Sequence, residues 1–139
     1  MVTVPLVVSL LLSTLSVQQE SLLKIRGYVS STMSDVDANV NSKQSFNEID
    51  NLVKNFDIRT RLNQVVMTTP GEYQMCARNS ASKVNDDMYT LVEYYSVSND
   101  FTRGGGRMLV SGDKRSFLKQ GLSAILSDVD SMLRCYDGS

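Results

Sequence analysis

A chain of 139 residues, 42% apolar and 21% charged, has the length and composition of one globular domain with room for a substantial core. Its net charge of −1 supplies no general attraction to polyanions, so a nucleic-acid partner is not expected. Histidine is absent, which removes Ser-His-Asp and Cys-His catalysis and histidine-bearing zinc sites, and leaves an enzyme only carboxylates or lysine to work with. The composition therefore favours a non-catalytic protein with no cofactor and no metal.

The chain opens on an uncharged apolar run at residues 4–17, VPLVVSLLLSTLSV. It is short for a membrane span, which takes about 20 apolar residues, and suits the apolar centre of a signal peptide. Thr14 and Ser16 are small residues of the kind that precede a cut, here between Ser16 and Val17. The alternatives are an uncleaved anchor running on into the next helix and a core helix of a cytosolic fold. The first two place the protein outside the cytoplasm. They divide the chain into a signal or anchor segment at residues 1–17 and a single domain at residues 18–139.

From Gln18 to Val40, Leu22, Ile25, Val29, Met33, Val36 and Val40 recur at spacings of three and four, the stripe of an amphipathic helix. Without cleavage it joins the preceding run in one long helix, apolar first and amphipathic later. Asn41, Ser42 and Lys43 interrupt it. Ser45 and Glu48 then have capping-box spacing ahead of a short helix carrying Ile49, Leu52, Val53 and Phe56.

At Ile58 the period changes. Ile58, Thr60, Leu62, Gln64 and Val66 alternate with polar neighbours to Met67, which predicts a half-buried strand. Thr69-Pro70-Gly71-Glu72 suits a type II turn. Residues 72–78 read as a second strand and residues 79–87 as a polar loop. Residues 88–97, dense in Tyr, Val and Leu, read as a third strand, and residues 107–110 as a short fourth. The last helix carries Leu118, Leu122, Ile125, Val129, Met132 and Tyr136, with Asp113 as its N-cap and Gly138 beyond its end. The predicted fold class is α+β: an N-terminal helix or helices, an antiparallel sheet of three to four strands, and a C-terminal amphipathic helix packed on the sheet.

Three features are candidates for function. Arg103, Gly104, Gly105, Gly106 and Arg107 form a glycine-rich segment between two cations, suited to an anion or to a solvated hairpin tip. Tyr94 and Tyr95 are adjacent, so on a strand one of them faces away from the core toward solvent or a partner. Cys76 and Cys135 are the only cysteines, and in an exported chain they are expected to pair. Asp86, Asp87, Glu93 and Asp100 read as solvated charge.

An apolar run feeding an amphipathic helix, followed by Ser45-Phe46-Asn47-Glu48-Ile49 with Leu52, a Pro-Gly turn and Glu72-Tyr73-Gln74-Met75-Cys76-Ala77, resembles the type IV pilins and pseudopilins over roughly residues 4–100. The glycine and glutamate of the pilin processing site have no counterpart in Met1-Val2-Thr3-Val4-Pro5. The resemblance implies a structural subunit outside the cytoplasm that partners other subunits or itself. Pro5 to Leu15 would be its buried packing helix and Cys76–Cys135 its stabilising bridge, with the membrane engaged through residues 4–17 if they are kept. The alternative is a small secreted binding protein or inhibitor with its signal peptide removed.

Overall fold

A computed structural model describes the backbone of residues 3–38, 42–102 and 112–137, and side chains from Val17 onward within these ranges except at Ser42, Lys43, Phe46, 94–102 and 112–114. Helix makes up 93% of the described residues and no strand occurs among them. Five helices follow one another: α1 (Thr3–Ala38), α2 (Ser42–Asp50), α3 (Ile58–Thr68), α4 (Gly71–Thr102) and α5 (Gly112–Arg134). A single π-helical turn, Asn51–Asn55, extends α2.

Side-chain contacts fix how the helices run. Arg26 of α1 pairs with Asp130 of α5, and Asp37, eleven residues on, pairs with Lys119, eleven residues back. Gln18 bonds Thr68 while Tyr28 stacks on Phe56, so α1 is antiparallel to the α2–α3 arm. Cys76 is bonded to Cys135 and Leu91 lies against Gly121, so α4 and α5 are antiparallel too. Among the described residues α1 makes no close approach to α4, nor α5 to the α2–α3 arm. The result is an up-down-up-down four-helix bundle whose second member is the broken arm α2–α3.

Each helix presents a stripe to the common core. The buried residues are Leu22, Ile25, Val29 and Val36 on α1, Ala77, Ala81, Val84, Met88 and Leu91 on α4, and Leu118, Leu122, Ile125, Val129 and Met132 on α5. Alternating steps of three and four give a narrow seam, as in bundles whose helices cross at a shallow angle. The arm has to be broken to do the same. Ser45, Ile49 and Leu52 are buried at those steps, but an unbroken helix would next bring Phe56, Arg59 and Asn63 inward. The π-helical turn and Asp57, which takes a left-handed φ of 55°, re-phase the chain so that Ile58, Leu62, Val65 and Val66 are buried and Arg59 and Asn63 are exposed.

The α+β expectation is thus overturned, and the sheet with it. The strand over residues 58–67 is α3. Ile58, Leu62 and Val66 are four apart, a spacing that fits both a strand face and a helix face, and the deciding positions Thr60 and Gln64 are exposed. The strands at 72–78 and 88–97 and the loop between them are one helix, α4. Its stripe passes through Ala77, Ser80 and Ala81, residues too small or polar to mark a core face in sequence. Ser45 is not a cap, because α2 begins at Ser42 and Ser45 lies buried within it. The Pro70 turn joins two helices instead of two strands, with Tyr73 N–H donating to the Pro70 carbonyl at 3.0 Å. The fourth strand at 107–110 and Gly138 lie outside the described residues.

The C-terminal helix keeps its predicted stripe and gains an anchor at its end. Tyr136 OH bonds Thr69 Oγ1 at 2.7 Å, and Thr69 Oγ1 bonds the Val65 carbonyl at 2.5 Å. One hydroxyl hydrogen on Thr69 is committed to Val65, so Tyr136 is the donor to Thr69. Leu122 is wholly buried at the middle of the seam. Replacing Leu122 by Ala is expected to destabilise the bundle by about 3 kcal/mol, read as a lower urea midpoint at unchanged slope.

Candidate functional site

Arg103, Gly104, Gly105, Gly106 and Arg107 lie outside the described residues. Tyr94 and Tyr95 belong to helix α4, and their side chains lie outside the described set. Their division between two faces of a strand therefore has no basis. Cys76 and Cys135 do pair, with Cα atoms 5.8 Å apart, and join α4 to α5. Among the described residues no three Asp, Glu or Cys side chains gather as metal ligands.

A site that the sequence did not advertise lies beside the break in the arm. Phe56 N–H reaches back five residues to the Asn51 carbonyl at 2.8 Å, which closes the π-helical turn. Asp57 then caps α3: its Oδ1 accepts from Thr60 N–H at 3.4 Å. In an uninterrupted helix Thr60 N–H would serve the Phe56 carbonyl. That carbonyl is instead taken by Arg61 Nε at 2.6 Å, much as basic side chains close the last carbonyls of a helix. The guanidinium also lies over the Phe56 ring, 4.2 Å from its centre, and the other face of that ring stacks on Tyr28 at 4.0 Å. A bond and a cation–π contact hold one edge of Arg61 and leave its terminal nitrogens without a hydrogen-bond partner among the described residues.

Arg61 forms one wall of a groove of 490 Å³ between α1 and α3. Val17, Gln18, Ser21, Lys24 and Ile25 line it from α1, and Arg61, Gln64, Val65 and Thr68 from α3. The antiparallel register places Lys24 opposite Arg61 at one end and Val17 and Gln18 opposite Thr68 at the other. No carboxylate is among the lining residues. Lys24 makes no ion pair or hydrogen bond among the described residues. Gln18 is 2% exposed; its Nε2 donates to Thr68 O at 3.0 Å and Thr68 Oγ1 at 2.7 Å, while its buried Oε1 has no partner. Two further grooves are less suited to a ligand. One, lined by Arg115 and Lys119, also holds the carboxylate of Asp37, to which Lys119 is paired. The other, along Arg78 and Asn85, has a single cation.

Two carboxyl pairs lie across other seams. Glu48 of α2 is raised above its ordinary pKa by burial first and by Asp35 of α1 second. Asp128 of α5 is raised to about 7, chiefly by burial and then by its hydrogen bond to Asp87 of α4 and the charge there, against a smaller opposing effect of Lys83. As a carboxylate, Asp128 leaves its buried Oδ2 without a donor; protonated, it has a hydrogen to give Asp87. Asp87, expected to be solvated, is therefore part of an interhelical contact. Neither Asp87 nor Asp128 lines any of the three grooves.

Since its folded-state value lies above the 3.8 of a free aspartate, Asp128 adds stability below that value and loses it as pH rises through about 7. The parent protein should accordingly lose stability between about pH 4 and 7, and Asp128→Asn, which keeps a donor toward Asp87, should flatten that part of the profile. Urea midpoints across the range check this.

No protein-family model matches the chain, and no curated protein and no solved structure matches it.

Proposed function

We propose that this protein is an exported, non-catalytic binding or assembly protein, a four-helix bundle with residues 1–16 serving its passage to or across a membrane. The observation that carries this is the Cys76–Cys135 disulfide, since such bonds persist in oxidising compartments and are rare in a reducing cytosol. The register of the bundle supports removal of the first residues. Gln18 meets Thr68, the last residue of α3, and Arg26 meets Asp130, two turns before Asp137. The described neighbours of α1 therefore end close to Gln18.

A tethered or assembling subunit, the pilin-like reading, is the second possibility, and one observation favours it: α1 is continuous from Thr3 to Ala38, apolar at its start and amphipathic beyond. The other half of that resemblance has lost its basis, because Tyr73 and Cys76 belong to α4 and there is no sheet among the described residues. No helix among the described residues is long and apolar enough to cross a membrane.

The mass of the protein recovered from its producing cells distinguishes the two. A mature N-terminus at Val17 is the expected result for a secreted protein, and retention of residues 1–16 for a tethered one. Thiol titration of the denatured, unreduced protein should find no free thiol; two reactive thiols per chain, or recovery of the protein from the cytosol, would refute export. The disulfide spans a sequence separation of 59 residues, so Cys76→Ser with Cys135→Ser should destabilise the bundle by about 4 kcal/mol on the chain-entropy model, measured by denaturant unfolding against the parent.

A further inference from the structure

We infer that the groove between α1 and α3 binds a small anionic amphiphile, a molecule with a carboxylate or sulfate head and a short apolar tail. This deepens the binding-protein reading and rests on it, but does not depend on where the mature chain begins. The head is assigned to Lys24 and Arg61. They stand opposite each other, line the same groove, and share it with no carboxylate. Lys24 is free of ion pairs among the described residues. Arg61 is held before any ligand arrives, by its bond to the Phe56 carbonyl and its place over the Phe56 ring. A guanidinium fixed at one edge retains donors along the others, and an arginine fork that needs no ordering suits a planar carboxylate.

The tail follows from the rest of the lining. Ile25 and Val65 are buried beneath the groove and Val17, at the far end, is 56% exposed. Ser21 and Gln64, between the ends, and Gln18 and Thr68, beside Val17, are uncharged. Charge is thus confined to one end, which is the distribution that orients an amphiphile along the helices. A volume of 490 Å³ lies within the range of small-molecule sites. The break in the arm is what makes this arrangement. Without the left-handed Asp57 the Phe56 carbonyl would be used within the helix and Arg61 would lose its fixed edge. A π-helical turn beside a non-glycine residue at positive φ is the kind of local irregularity that recurs at functional sites.

Titration calorimetry of the full chain with monomeric decanoate tests the assignment. The expected result is saturable binding at one site, weakened about tenfold or more by Lys24→Gln and by Arg61→Gln, and unchanged by Lys54→Gln, an exposed cation paired with Asp50 away from the groove. Decanol, with the tail but no charge, and inorganic phosphate, with charge but no tail, should each bind at least about tenfold more weakly than decanoate. Absence of saturable binding overturns the proposal, as does equal binding of decanol or phosphate, or equal loss with Lys54→Gln. Lys24 makes no ion pair or hydrogen bond among the described residues, so its variant reports on the charge even if Arg61→Gln disturbs the break. Failure here, with the mature mass and thiol count as expected, would remove the ligand and leave export standing.

Discussion

The bundle depends on the burial of one stripe of α5 between two helices whose backbones make no close approach to each other among the described residues. Leu118, Leu122, Ile125, Val129 and Met132 are all at most 1% exposed, and α1 and α4 both pack along this helix. Burial of such side chains contributes roughly 1.5–3 kcal/mol each before conformational entropy is counted. Loss of α5 would leave α1 and α4 without the surface that covers their own stripes. The cross-links fall on the same seams: Cys76–Cys135 ties α4 to α5, and Arg26–Asp130 and Asp37–Lys119 lie between α1 and α5. The two ion pairs are substantially exposed, so each is worth at most about 1 kcal/mol, and they fix register more than they hold the fold.

The α2–α3 arm meets the same requirement under a handicap. Its apolar residues fall out of helical phase between Leu52 and Ile58. An unbroken helix would have to bury Arg59 or Asn63, and a buried unpaired guanidinium is far more unfavourable than a local break. The chain inserts a wide turn and a left-handed Asp57 instead. That solution to a packing problem leaves one main-chain carbonyl open, and Arg61 occupies it. The candidate site is thus a by-product of how the core is filled, which is why it sits on a helical scaffold and not on a connecting loop.

Much of the fold was legible where the apolar residues are large. The stripes of α1 and α5 are written in Leu, Ile, Val and Met at steps of three and four, and both helices are present along them. The Cys76–Cys135 pair was legible from the count of two cysteines together with the expectation of export. Helix α4 was not, because its core face is made of Ala77, Ser80 and Ala81 before it reaches Val84, and because Tyr and Val at residues 89–95 favour strands when considered locally. Packing on α5 overrode that preference. At α3 the four-residue spacing of Ile58, Leu62 and Val66 satisfies two periods at once, and the burial of Val65 next to Val66, with Thr60 and Gln64 exposed, discriminates between them. The site followed the fold: cations were sought in the Arg103–Arg107 segment, whereas Arg61 acquires its role from a main-chain break that no residue pattern announces. One signal was available, since α3 carries Arg59 and Arg61 and no acid.

The charges across the seams differ in how they respond to acid. The exposed pairs Arg26–Asp130 and Asp37–Lys119 set opposite charges together across the α1–α5 seam. Asp35–Glu48 and Asp87–Asp128 act in the opposite sense, because each sets two like charges near each other at a helix interface and is relieved when one proton is taken up. With no histidine in the chain, no imidazole gains a charge as the medium becomes mildly acidic. Among the described residues, the two carboxyl pairs are groups whose protonation relieves like-charge repulsion between helices, α1 against α2 and α4 against α5. The α1–α3 groove has no carboxylate in its lining, so neither carboxyl pair stands within it. Relief of the two pairs by protonation therefore acts at the α1–α2 and α4–α5 seams, away from the candidate anion site.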